Sequence, residues 1–186
     1  MTRFIFDTAT TMNGWIADRE NSLSWLFAVP RGEPAAGLPP QAAAVMVEGS
    51  TTYEWVLREY DILAHPEKWQ EFHGDRPTFV FTSRELPVPQ GADIRFVHGD
   101  VADALPAIRE AAGEGDVWLI GGGDLVGQFF DAGALDEIAL SIAPVALDGG
   151  APLLPRRIES DRLQLVSATA YGQFARLIYA VVPAPD

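Results

Sequence analysis

The sequence predicts a three-layer α/β domain: a mixed, mostly parallel sheet with an antiparallel C-terminal edge and helices on both faces. Three observations carry this expectation. Apolar runs without polar alternation recur at residues 42–47, 78–82 and 117–120, as strands buried on both faces require. Segments with helical periodicity come after several of these strands, giving the alternating order of a parallel sheet. From residue 137 onward the pattern becomes one strand after another, 137–143, 163–171 and 174–182, separated by turns rich in Gly and Pro.

Residues 3–10 are rich in β-branched and aromatic side chains and predict the first strand, which Thr11-Met12-Asn13-Gly14 interrupts before Trp15-Ile16-Ala17 resumes extended character. Residues 18–40 lack periodicity and predict a long connection with at most a short helix. After the strand at 42–47, Gly49-Ser50-Thr51-Thr52 offers a cap to a helix carrying Tyr53, Trp55, Val56 and Leu57. The strand at 78–82 leads into the turn-rich stretch 83–91 and a strand at 94–97. Asp100 is placed to cap a helix with Val101, Leu105 and Ile108 on its apolar face, interrupted by Pro106 and closed by Gly113. Three glycines after the strand at 117–120 lead into a helix bearing Leu125, Val126, Phe129 and Phe130. The tail after Val182 is expected to fray.

A chain of 186 residues fits one domain, and 48% apolar with 21% charged residues is globular composition. Thirteen basic against twenty-six acidic residues leave a formal charge of −13, a field that repels nucleic acid and anionic membranes. Any anionic ligand must therefore be held by helix N-termini, backbone amides and single arginines. The absence of cysteine excludes disulfides and thiolate chemistry, so redox chemistry has to come from a bound cofactor. His65, His73 and His98 lie apart without ligand spacing, and no metal site is expected. No apolar run reaches the roughly 20 residues of a membrane span, and no leader pattern opens the chain, so the expected location is the cytoplasm.

Three segments combine donors for anions with the end of a strand. Gly121-Gly122-Gly123-Asp124-Leu125 joins a buried strand to a helix through residues without Cβ atoms, which lets the backbone touch a ligand while helix N–H groups face a phosphate. An unliganded tight turn would look the same locally. Glu48-Gly49-Ser50-Thr51-Thr52-Tyr53-Glu54 clusters hydroxyls and N–H groups at a second helix start, where ordinary N-capping is the alternative. Phe81-Thr82-Ser83-Arg84 adds two hydroxyls and a guanidinium suited to a terminal phosphate. Ends of neighbouring parallel strands share one edge of the sheet, where ligands of α/β proteins sit.

Taken in order, these segments resemble the dihydrofolate reductase superfamily, and within it the reductase domain of riboflavin biosynthesis, the RibD C-terminal-like group. Thr11-Met12-Asn13-Gly14-Trp15-Ile16-Ala17 resembles the Ser-Leu-Asp-Gly-x-Ile-Ala segment of those reductases, and residues 49–54 resemble their Gly-Arg-x-Thr-Tyr-Glu segment. Residues 81–84 resemble the strand end that holds the adenine-ribose phosphate. Ile120-Gly121-Gly122-Gly123 resembles the pyrophosphate and nicotinamide turn, and residues 129–140, Pro144 and Gly149-Gly150-Ala151-Pro152-Leu153 resemble the stretch beyond that turn.

The resemblance implies a dihydrofolate reductase-like fold and an NADPH-dependent reductase, with NADH as the alternative cofactor. Hydride would pass to a C=N or C=O carbon of a small heterocycle, such as the ribosylated pyrimidinone 5-amino-6-(5-phosphoribosylamino)uracil. It assigns Ala9 and Ile16 to the nicotinamide, Gly49, Thr52, Gly121, Gly122, Gly123, Asp124 and Leu125 to the pyrophosphate side, and Thr82, Ser83 and Arg84 to the adenine ribose. Asn13 and Trp25 fall to the substrate. Asp7, in the first strand, and Asp18, in the loop after Ala17, are the proton-donor candidates, with strand-edge and solvated-loop roles as the alternatives. Trp15, Trp25 and Trp118 are expected close enough to report binding by fluorescence.

Departures from the pattern narrow these implications. Ser50 stands where arginine is usual, removing a phosphate clamp, and Asn13 replaces a frequent aspartate. Residues 31–41, with Glu33 alone as a carboxylate, offer no counterpart to the folate-binding helix. Alternatives are a general imine or carbonyl reductase of secondary metabolism, and a nucleotide-binding protein that kept the fold without the chemistry. The apolar C-terminal strands, at 139–145 and 178–182, lead to the expectation of a homodimer.

Overall fold

The computed structural model describes residues 2–30 and 42–183. Helix and strand alternate through most of the chain: β1 (Phe4–Thr11), β2 (Trp15–Ala17), α1 (Ser24–Phe27), β3 (Val45–Gly49), α2 (Ser50–Glu59), α3 (Glu67–His73), β4 (Thr78–Phe81), β5 (Ile94–Val97), α4 (Val101–Ala112), β6 (Val117–Gly121) and α5 (Gly123–Asp131). Strands then succeed one another as β7 (Leu135–Ala143), β8 (Ala151–Pro152), β9 (Leu163–Tyr171) and β10 (Phe174–Val181).

Eight strands form one sheet in the order β5-β4-β3-β6-β1-β7-β10-β9. The six strands from β5 to β7 run parallel, whereas β10 pairs antiparallel with β7 and β9 antiparallel with β10. This is the mixed sheet the sequence predicts. The chain runs outward from β3 through β4 to β5, then returns to insert β6 between β3 and β1. That reversal opens a crevice at the carboxyl ends of the central strands.

Continuous apolar runs are explained by burial on both faces of the central strands. Val45 and Val47 join Phe4, Phe6, Phe79, Leu119, Ile108, Val126 and Phe129 in a core under α4 and α5. Val80 faces the other way, into a second core with Tyr53, Val56, Leu57, Ile62 and Trp69 from α2, α3 and their connection. Pro106 sits inside α4 without ending it, and Val101 and Ile108 are buried as the periodicity requires.

The structure departs locally from the sequence reading. Asp100 and Gly49 occupy N-cap positions, but neither helix receives a side-chain cap hydrogen bond. The third strand begins at Val45 rather than residue 42. The short helix α3 and the two-residue strand β8, which pairs with β2, had no periodic signature. Residues 31–41, including Glu33, lie outside the described residues.

Candidate cofactor and active site

The carboxyl ends of β3, β4, β5 and β6 open into one cleft of about 700 Å³. Gly49, Ser50, Thr51 and Thr52 supply its floor from the β3–α2 turn, and Gly122, Gly123, Asp124 and Leu125 from the β6–α5 turn. Phe81, Thr82 and Ser83 close one end with Val97, His98 and Gly99. Thr8, Ile16, Ala17, Asn21, Leu23, Trp55, Ala151 and Pro152 shape the other walls.

The floor is built from two helix starts side by side, because β3 and β6 are adjacent and parallel, with Glu48 in register with Gly121. Neither α2 nor α5 has a side-chain cap at its N-terminus. The first-turn N–H groups of both helices thus lack the usual hydroxyl or carboxylate partner, and both helix dipoles point their positive ends at the cleft. The glycines are there for different physical reasons. Gly121 adopts φ +132°, a conformation open to glycine, and the Gly121–Gly122 peptide is cis. A Cβ placed on Gly122 meets nothing within 4 Å, so a side chain there would project into the cleft itself. A Cβ on Gly123 would run into the carbonyl oxygens of Pro152 and Leu153, so only glycine lets α5 start against β8.

The far end is held by local hydrogen bonds. The backbone N–H of Arg84 donates to Thr82 Oγ1 at 3.0 Å, and His98 Nδ1 lies 2.7 Å from the Thr82 carbonyl oxygen. A carbonyl oxygen only accepts, so Nδ1 carries the proton. Arg84 does not line the cleft. Its guanidinium donates to both oxygens of Glu54, at 3.0 and 2.5 Å. The Glu54 carboxylate raises the Arg84 pKa further above its ordinary value. Asp124 also has a partner: Arg156 donates to it at 3.0 Å and, with Gln128, holds its carboxyl below the usual range.

Gly122, Thr52 and Ser83 share the one cleft, as do Ile16, Gly49, Thr82, Gly123, Asp124 and Leu125. The other sequence candidates lie elsewhere. Asp7 does not reach the cleft: its carboxylate accepts from Arg176 at 2.6 and 2.5 Å in a buried pair joined by Ser141. Burial raises the Asp7 pKa, and the hydrogen bonds and charge of Arg176 oppose that rise. Asp18 accepts the backbone N–H groups of Glu20 and Ser22 and so closes its own loop. Asn13 ties the first loop to Leu147, its side chain donating to one backbone group and accepting from the other. Trp25 and Ala9 pack in an apolar cluster with Val29, Ala143 and Phe174. Gly121 lies just behind the floor.

The cleft also contains residues the sequence did not single out for it. Trp55 is the tryptophan in its lining, and its ring stacks on Phe27 with centroids 6.4 Å apart. His98 was legible in principle, since it comes after a strand parallel to β4 and so ends at the same edge. Among the described lining residues, Asp124 and His98 are the ones with carboxyl or imidazole groups.

A parallel sheet with this crossover order, an antiparallel C-terminal hairpin and paired helix starts over one cleft defines a dihydrofolate reductase-like domain. The RibD C-terminal domain model matches residues 61–176, and the chain belongs to that family. It is 27% identical over 173 residues to the uncharacterized protein YwjB of Bacillus subtilis, covering 92% of this chain and 93% of that one. Its structure is similar to that of a putative riboflavin biosynthesis protein from Shewanella sp. PV-4, with a TM-score of 0.76, 24% identity and coverage of 98% and 99%. A diaminohydroxyphosphoribosylaminopyrimidine deaminase/5-amino-6-(5-phosphoribosylamino)uracil reductase from Thermotoga maritima shares the fold at TM-score 0.63 and 13% identity. There the match covers 97% of this chain and 57% of the other.

Proposed function

We propose that this protein is an NADPH-dependent reductase that passes hydride to a small heterocyclic substrate of the pyrimidinone type. The observation that carries the reading is the pair of uncapped helix N-termini opening on one glycine-floored cleft. Two helix starts on adjacent strands are suited to the two phosphates of a dinucleotide, and the space above Gly122 is where a ligand would touch backbone. Membership of the RibD C-terminal domain family supports the reductase chemistry.

In this reading Ser50, Thr51, Thr52, Asp124 and Leu125 hold the pyrophosphate through backbone N–H groups and hydroxyls. Thr82, Ser83 and His98 receive the adenine ribose. Ile16, beside Thr8, walls the nicotinamide, and Trp55, Leu23 and Asn21 face the substrate. A bound reduced nicotinamide supplies the hydride. The chain aligns the two reactants and excludes bulk water from between them. Asp7 is engaged with Arg176 and Asp18 with its own loop, so in this reading neither supplies the proton that completes the reduction of a C=N or C=O bond, and the proton is taken up from solvent.

Titration of Trp55 fluorescence with NADPH and NADH tests the cofactor site, and loss of reduced-nicotinamide absorbance with pyrimidinone or imine substrates tests the reaction. Saturable quenching that disappears in Trp55→Phe is expected. Absence of binding by both nucleotides at millimolar concentration refutes the reading. Binding without turnover of any heterocycle leaves a nucleotide-binding protein. In the same reading the C-terminal β edge pairs two copies in the cytoplasm, and light scattering that gives a monomer at every concentration refutes the pairing.

A further inference from the structure

Whether a dinucleotide cleft prefers the 2′-phosphorylated form depends on which positive charges near the adenine ribose are free to meet that phosphate. Arg84 is the guanidinium next to the Thr82-Ser83 end of the cleft, and it is already committed. Both of its terminal nitrogens donate to Glu54, one to each carboxylate oxygen, in the fork-to-fork geometry that a phosphate would otherwise take. The two partners come from separate elements, Glu54 from α2 and Arg84 from the loop after β4, so the pair ties the helix whose first turn lines the cleft to the loop that carries Thr82 and Ser83. Among the described residues, Arg156 is likewise paired with Asp124 and Asp131, and Arg19 with Asp148. Ser50, at the start of α2, supplies a hydroxyl and no charge.

We infer that Glu54 is a specificity-determining residue: it competes with the adenine-ribose 2′-phosphate for Arg84, and this competition sets how strongly the cleft prefers NADPH over NADH. The inference rests on the reading of the cleft as a dinucleotide site. The physical basis is a balance of two small effects. An exposed Arg–Glu pair is weak, so a phosphate can displace the carboxylate. The displaced carboxylate then stays on α2, close to a phosphate group carrying up to two negative charges, and repels it. A ribose hydroxyl in the same place feels neither effect. Glu54 thus acts through Arg84 and on the phosphate alone, as a positioning residue rather than a catalytic one.

The test measures dissociation constants of NADPH, NADH, 2′,5′-ADP and 5′-AMP for the wild type, Glu54→Gln, Arg84→Ala and the double variant, by Trp55 fluorescence and calorimetry. Glu54→Gln frees Arg84 without adding charge, and the ratio of NADH to NADPH dissociation constants is expected to rise on the order of tenfold, with the same gain for 2′,5′-ADP over 5′-AMP. Relative to Arg84→Ala, the double variant is expected to show a clearly smaller gain, because only the direct repulsion by the carboxylate is then relieved. Arg84 is exposed and Glu54 half-buried at the surface, and urea midpoints close to that of the wild type are expected for all variants. An unchanged ratio in Glu54→Gln, or an equal gain with Arg84 absent, overturns the role of Glu54 while leaving the dinucleotide cleft intact. Failure of every nucleotide to bind the wild type overturns the cleft reading and this inference together.

Discussion

Glu48 is a fully buried carboxyl group whose ionisation this fold opposes. It sits at the end of β3 directly before the cleft floor, it is 0% exposed, and neither carboxylate oxygen has a hydrogen-bond partner among the described residues. Burial without compensation lifts its pKa from 4.5 to about 8. The folded protein therefore keeps a proton that the unfolded chain loses, and stability falls as pH rises through the interval between these two values. Stability is greatest below pH 4.5 as far as this group is concerned, and the loss levels off above about pH 8. Each unit of pH inside that window costs about 1.4 kcal/mol, so Glu48 removes about 3 kcal/mol at pH 7 relative to strongly acidic solution. Replacement by Gln abolishes the titration, and replacement by Met also removes the unpaired polar atoms. His73, whose pKa burial lowers to about 3, acts in the opposite direction, losing stability as pH falls from 6.5. The difference between wild type and Glu48→Gln isolates the carboxyl. Urea unfolding followed by tryptophan fluorescence from about pH 5 to about pH 8 should show the wild type losing about 3–4 kcal/mol more than the variant across that range. Parallel curves for the two proteins would mean that Glu48 is solvated or paired, and the reasoning from burial would fail.

Three further substitutions separate packing from binding. Gly122→Ala places a methyl group in the open space of the cleft, so dinucleotide affinity should fall tenfold or more while the urea midpoint stays within error; a large loss of stability would contradict the geometry. Gly123→Ala drives its Cβ into the carbonyls of Pro152 and Leu153 and should cost more than about 2 kcal/mol in the same assay. Arg176→Met leaves Asp7 buried without its partner and should cost about 3–5 kcal/mol, with much of that recovered in an Asp7→Leu/Arg176→Met double variant. A double variant no more stable than the single one would show that the cost is lost packing.

The succession of strands along the chain was readable because its causes are local. A strand buried on both faces needs an unbroken apolar run, and Val45, Met46 and Val47 or Val117, Trp118 and Leu119 announce this without reference to the rest of the chain. The glycine floor was readable for the same reason: Gly121, Gly122 and Gly123 stand between a strand and a helix, and few side chains fit that combination. Partners set by long-range register were not readable. Arg176 meets Asp7 across 169 positions because β1 and β10 flank β7 in the sheet, so the two side chains reach each other over Ser141, and nothing near Asp7 announces the guanidinium. Glu54 and Arg84, 30 positions apart, meet for a similar reason, so an arginine that looked free in sequence is held in the fold. The helix α3 escaped notice because its seven residues bury only Trp69 and His73, too few to set up a period. Trp55 reached the cleft while Trp25 went to the core, a choice decided by how α1 and α2 pack and invisible in the spacing of either residue.

A net charge of −13 is a poor setting for a ligand with three or four negative charges. In the proposed reading the conflict is resolved by giving the phosphates to backbone dipoles rather than to side-chain cations. Those dipoles are fixed by the helices, are not neutralised by the surrounding carboxylates, and carry little of the counterion exchange that mobile charges bring. Arg84 and Arg156 meanwhile neutralise Glu54 and Asp124 at the rim. The consequence is measurable. NADH affinity should change less than about threefold between about 0.05 M and about 0.5 M salt. NADPH should show a steeper dependence once Glu54→Gln releases Arg84, because an unpaired cation then faces a phosphate in screened solvent. A wild-type NADH affinity that falls tenfold over that range would place side-chain charge, not helix termini, at the centre of recognition.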